Sequence, residues 1–218
     1  ISLHAEKFGG DAMAQSHNPY PVQFSVDSPE ESRDRLSVFL RFILAIPIVI
    51  LFAAVSGESA GIRSFGGAAG GTLMAGPLLM VLFRQKYPKW WFDWNFALSK
   101  FTNRVAVYLF MLRDEYPSTD EEQAVHLELP YPDVEQDLNR WLPLIKWLLA
   151  IPHYIILAVL WALVVFAVII SWLSILITGN HPSGLFNFVV GVMRWTNRVG
   201  AYAFVLVTDV YPPFRLDP

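Results

Sequence analysis

Apolar and polar positions along the 218-residue chain fall into the same order twice. Near the start, Val22-Gln-Phe-Ser-Val26 alternates, as a short strand or extended segment does. Ser28-Pro29-Glu30-Glu31 supplies a helix start, with Ser as N-cap, Pro at the first position and Glu at the third. The predicted helix passes Arg41 and enters an uncharged run at 42–55. A Gly/Ser/Ala-rich loop follows at 57–71, then a second apolar segment at 72–83. Arg84, Lys86 and Lys89 close that segment, and Tyr87-Pro88 stops it. In the second half Val125-His-Leu-Glu-Leu129 alternates, Pro132 answers Pro29, and Arg140 and Lys146 answer Arg35 and Arg41. From 147 to 177 there is no Lys, Arg, Asp or Glu.

At 1.5 Å per residue that last run makes a helix of roughly 46 Å, too long for a hydrocarbon core of about 30 Å. Extended to 141–179 it approaches the length of a helical hairpin, and the Gly-rich loop of the first half sits between the matching segments. The pattern therefore predicts an all-α integral membrane fold of two tandem repeats, each a transmembrane hairpin followed by an amphipathic interfacial helix. Short extended segments begin each repeat. The first repeat occupies 20–117, with spans at 36–56 and 72–86 and an interfacial helix at 90–112. An acidic linker at 118–124 leads to the second repeat at 125–215, with spans at 141–160 and 162–179, a tight turn near Val159–Leu163, and an interfacial helix at 184–207. The competing picture is one long tilted span per repeat after a break at Pro47 or Pro152.

The third segment of each half carries a polar stripe. Asp93, Lys100, Asn103 and Arg104 correspond to Asn187, Arg194, Asn197 and Arg198, and spacings of 7 and 11 fall in a narrow arc of a helix. Such a helix lies in the interface with its basic residues near lipid phosphates, and Trp90, Trp91 and Trp94 anchor its start. Both copies end at Tyr-Pro, at 116–117 and 211–212. The blocks KFTNRVAVYLF at 100–110 and RWTNRVGAYAF at 194–204 match, as do FILAIP at 42–47 and WLLAIP at 147–152. With the terminal YPPF at 211–214, these blocks resemble the family called domain of unknown function 4389. The resemblance covers essentially 20–215, most closely the second half, and the first half departs from it by the Gly-rich insertion. It implies a bacterial membrane protein and brings no established activity or catalytic residue.

Composition fits the same class. Hydrophobic residues make up 54% of the chain and charged ones 16%, far from the soluble average. The absence of cysteine excludes disulfides, thiolate metal sites and cysteine nucleophiles, and the net charge of −3 argues against a nucleic-acid partner. Among the Lys and Arg residues only Arg63 falls in a hairpin tip, so the basic residues collect on one face, which the positive-inside rule makes cytoplasmic. Both termini are expected inside, with four spans in the bacterial inner membrane. The polar segment at 1–19 has no apolar run to act as a signal peptide, and Met13 reads as a translation start, which leaves 1–12 without structural weight.

Candidate chemistry is sparse. His153 stands alone in an apolar stretch, and a metal site needs three or four converging ligands, so it reads as a packed or hydrogen-bonded histidine. Arg104 and Arg198 read as structural or as contacts to lipid or partner, with Asp114 and Asp209 as their counter-ions. Arg41 and Lys146 read as snorkelling cations, and Pro47 and Pro152 as fixed kinks. Gly67, Gly71 and Ala75 form a small-residue stripe suited to close helix packing. No catalytic motif is present, and no catalytic residue, cofactor or metal is assigned. The expected partners are the bilayer and other membrane subunits. The expectation is a non-catalytic accessory or scaffold subunit, with a small transporter or channel as the alternative, and a lipid-headgroup-acting enzyme behind it.

Overall fold

The computed structural model describes residues 20–28, 35–50, 68–119 and 121–218. The polar segment at 1–19 and the Gly-rich stretch up to Gly67 lie outside them. Chain order begins with β1 (Gln23–Val26) and α1 (Arg35–Leu44), followed by α2 (Ala68–Arg84) and α3 (Lys89–Leu109). The second half has β2 (Val125–Glu128), the single turn α4 (Val134–Asp137), α5 (Pro143–Leu149), α6 (Ile151–Thr178) and α7 (Ser183–Gly200), and a π-helical turn at Ala201–Val205.

The two alternating segments are strands, and they pair with each other. β1 and β2 are antiparallel, with Phe24 opposite Leu127 and Val26 opposite Val125. Alternation puts Val22, Phe24, Val26, Val125 and Leu127 on one buried face. A two-stranded sheet is marginal alone. Here α7 packs on β1 and α3 on β2, so each strand is covered by a helix of the other half. The same exchange recurs among the helices, since α1 packs on α6 and α2 on α5.

Both halves bend at the same place. Helical residues 46–50 continue from α1 across Ala45, whose N–H bonds Arg41 O at 2.8 Å and whose carbonyl accepts from Val49 N at 2.9 Å. Ala150 repeats this between α5 and α6, with Lys146 O at 2.9 Å and Tyr154 N at 3.1 Å. Pro47 and Pro152 each lie two residues further on, where the missing N–H interrupts the ladder.

The hairpin expected at 141–179 is replaced by α5, the kink, and one continuous helix. Ile151–Thr178 has no break, so no turn forms at Val159–Leu163 and the spans expected at 141–160 and 162–179 do not exist as separate helices. The physical reason lies in the residues: Val-Leu-Trp-Ala-Leu offers neither Gly, Pro nor a polar turn-former, and an uninterrupted helix satisfies every backbone group internally. Gly179, at φ 80°, closes α6 through its N–H to Ile175 O at 2.8 Å. Gln85 ends α2 in the same left-handed conformation, at φ 46°.

α6 is apolar all round and poorly covered. Its most apolar 18-residue stretch is 22% buried, which leaves Ile155, Val159, Phe166, Ile170 and Ile177 on the surface. The buried side of α6 runs through His153, Leu157, Val164, Ala167, Ser171 and Ile175. Continuity also changes the charge picture. Lys146 precedes the start of α6, while the Arg35 side chain packs near Gly179 at its end, so cations flank both ends of the helix rather than one.

Candidate functional site

Each half buries one cation just before its kink. Arg41, on α1, is fully buried and ion-paired to Asp114. Its Nη1 donates to the carbonyls of Tyr108 at 3.2 Å and Arg113 at 2.9 Å, and its Cζ lies 4.6 Å from the Tyr108 ring centroid. Lys146, on α5, is equally buried, with Nζ 2.7 Å from Asp209 Oδ1 and 2.7 Å from Thr208 O. Its Nζ is 5.1 Å from the Tyr202 ring centroid. Burial pulls the Lys146 pKa down, and the hydrogen bond and charge of Asp209 pull it back up. Asp114 and Asp209 keep 31% and 20% of their side chains exposed, so both pairs sit at the edge of the fold with only the cation fully dry.

These pairs correct two expectations. Arg41 and Lys146 do not snorkel to the surface, and Asp114 and Asp209 belong to them instead of to Arg104 and Arg198. The cause is desolvation: a dry cation without a carboxylate is far more costly than one with it. Tyr108 and Tyr202 complete the two constellations. Sequence reading passed over them, although they occupy the same position of the two matching blocks.

The lower part of the polar stripe turns inward. Asn103, Arg104 and Arg198 are buried, and Asp93 and Asn187 stay exposed. Asn103 and Asn197 form a reciprocal amide pair, each Nδ2 donating to the other's Oδ1 at 2.8 and 2.9 Å. Each Nδ2 also donates to the carbonyl four residues back, Ser99 and Met193, at 2.9 Å. An interfacial helix presenting this stripe to headgroups is therefore not what α3 and α7 form at these positions. One buried and one half-buried amide satisfy each other where the helices meet, which one alone would not achieve.

Arg104 donates Nη1 to Ser118 O at 2.7 Å. Arg198 differs: none of its three side-chain nitrogens has an acceptor among the described residues, and its Cζ lies 5.8 Å from the Tyr20 ring centroid. Burial draws the Arg198 pKa down to about 10, helped by repulsion from Arg215 and Arg194, and it stays ionised at neutrality. Arg194 is tied to backbone, Nε to Phe24 O at 2.8 Å and Nη1 to Leu216 O at 2.7 Å. Lys100 lies 4.5 Å from the centroid of the Phe96 ring. Trp90 and Trp94 are exposed at the start of α3, and Trp91 lies against Gly76. Gly67 lies outside the described residues. Gly71 and Ala75 fall within α2, and the packing of that stretch lies outside them too.

His153 is packed and hydrogen-bonded. Its Nδ1 accepts from Trp195 Nε1 at 3.0 Å, which places the ring proton on Nε2, and it stacks on Phe214 at 4.0 Å. Among the described residues no group of three or more His, Asp or Glu is placed to hold a metal.

Fold and site together define a mostly helical protein with buried polar pairs fastening its ends and, among the described residues, one helix long and apolar enough to cross a membrane. Residues 141–215 match the model of the family described as Domain of unknown function (DUF4389), the family the sequence resembles. The matched segment runs from just before α5 to Arg215 and includes the whole Lys146–Asp209–Tyr202 constellation. Comparison with curated proteins and with solved structures gave no match.

Proposed function

We propose that the chain is a duplicated integral protein of the bacterial cytoplasmic membrane that serves as a non-catalytic accessory or scaffold subunit of a larger membrane assembly. The observation that carries the reading is α6: 28 residues with no charge, whose apolar surface is left largely uncovered by its own fold. Exposed Leu36, Phe39 and Ile43 on α1, and Leu79 and Phe83 on α2, extend that surface. Apolar area of this kind is stable only against lipid or another subunit. A duplication is supported by the matched cation–carboxylate–tyrosine sets and the reciprocal asparagines. The non-catalytic role is supported by where the polar groups go. Arg41, Lys146, Asn103 and Asn197 are engaged with partners inside the fold.

The test uses the cysteine-free background. Asn180→Cys, exposed beyond the end of α6, is expected to react with an impermeant thiol reagent from outside intact cells, whereas Gln136→Cys, exposed ahead of α5 and the start of α6, is expected to react only after lysis. Reaction of both from the same side would mean that α6 does not cross. Native purification then asks for the partner: a fixed stoichiometric companion supports the subunit role, and a lone protein that lets solute into vesicles supports a channel instead.

A further inference from the structure

An open cleft of about 690 Å³ lies where the C-terminal end of α2 faces the entry to α4. Its lining carries two cations, Arg84 and Lys86, on either side of Gln85 in the chain. The lining also carries two carboxylates, Asp133 and Glu135. Trp90 and Tyr131 line the cleft as well, and both rings are exposed. The two contributing segments are tied together, because the Tyr131 hydroxyl donates to Tyr87 O and the Tyr131 ring packs edge-on against Phe92 at 5.2 Å. Arg84 and Lys86 make no ion pair with Asp133 or Glu135, although the four line one cavity. Charges of both signs around one cleft, not paired with one another, suit a ligand that carries both signs.

We propose that this cleft binds a phosphoethanolamine headgroup. The phosphodiester faces Arg84 and Lys86, and the primary ammonium faces Asp133 and Glu135, with Trp90 and Tyr131 beside it. A primary ammonium suits carboxylates because it donates hydrogen bonds, which a quaternary choline cannot do. The headgroup belongs to a lipid, since exposed Leu79 and Phe83 precede Arg84 on α2 and offer apolar surface for acyl chains. This assignment rests on the membrane reading above, and it names the lipid that reading leaves open.

The experiment reconstitutes the full chain in nanodiscs of mixed phosphatidylethanolamine, phosphatidylcholine and phosphatidylglycerol, releases it, and counts retained lipids by native mass spectrometry. Phosphatidylethanolamine should be retained in about tenfold preference over phosphatidylcholine, the ratio expected from one charge-assisted hydrogen bond. Arg84→Gln with Lys86→Gln should abolish retention of phosphatidylethanolamine. Glu135→Gln should remove its preference over phosphatidylcholine while leaving phosphatidylglycerol unchanged. Asp133 is left intact because its carboxylate caps α4 through the Glu135 N–H. Equal retention of the two zwitterionic lipids by the wild type overturns the proposal, as does a preference for phosphatidylglycerol. Competition by soluble glycerophosphoethanolamine as strong as by the lipid would overturn the lipid source. A chain that does not enter nanodiscs at all contradicts the membrane reading instead, which separates the two failures.

Discussion

Asn103 and Asn197 show what a matched pair of residues achieves that neither achieves alone. Each amide uses its partner for one donor and one acceptor, and a helix carbonyl for its second donor. Replacing Asn103 with Leu leaves Asn197 its bond to Met193 O but strands its Oδ1 and one N–H, at a cost of about 1–3 kcal/mol. Asn197→Leu should cost a similar amount. The double variant should recover much of the loss, because two apolar side chains can pack where two amides were bonded. Chemical denaturation in detergent measures the cycle, and strictly additive losses would show that the pair contributes no coupling. At this scale the sequence was informative about which positions matter and misleading about their partners. Asp114 and Asp209 lie ten and eleven residues beyond Arg104 and Arg198, and proximity along a helix suggested the wrong ion pairs. The true partners, Arg41 and Lys146, are far away along the chain, and only packing brings them in. Arg198, left with an aromatic ring and no acceptor among the described residues, is legible in neither sense.

The same one-residue difference reappears in the elements. α3 closes at Met111, φ 60°, and the helix in the second half closes at Leu206, φ 61°. From the shared tyrosine, Tyr108 or Tyr202, the second path is one residue longer, and the π-helical turn at Ala201–Val205 takes up the excess. Asp209 thereby reaches Lys146 as Asp114 reaches Arg41. Deleting Ala203 should then relax the turn to an ordinary helix and keep the Lys146–Asp209 pair. Deleting Val192 from the middle of α7 should rotate the asparagine and both arginines off their positions. Comparing the melting temperatures of the two deletions checks this, and equal loss would mean the π turn is not the insertion point. The helix periods and the prolines were readable in advance, and so were the approximate ends of α3 and α7. The continuous α6 corresponds to the competing picture of one long span after a break at Pro152, which the length of the uncharged run counted against. Its first residues belong to α5, and the kink at Ala150 leaves a helix of 28 residues. The Gly-rich loop of the first half was also taken as a guide to a second half that lacks it.

Across the whole molecule the halves are exchanged rather than placed side by side. β1 pairs with β2, α7 covers β1, α3 covers β2, and α1 and α2 lie on α6 and α5. Neither half can bury its own strand. Expressed separately, residues 1–119 and 120–218 should each be degraded or aggregate. Co-expressed, they should assemble into a complex that survives purification, as tagged co-purification would reveal. Stable accumulation of either half alone would mean that the exchanged contacts are dispensable. The repeated order of motifs was legible in the sequence, but exchange was not, since a repeated pattern gives the parts of each half and says nothing about which of them touch.

The pairing of β1 with β2 also sets a clock. Val26 leaves the ribosome about 100 residues before Val125, and at roughly 5–20 residues per second the first strand waits on the order of 5–20 s for its complement. During that interval its edge is open and the apolar face of α1 has no α6 to rest on, a state prone to pairing with the wrong chain. A protein tied together in this way has to be shielded while it is being made, and its yield should depend on how quickly the ribosome reaches the second strand.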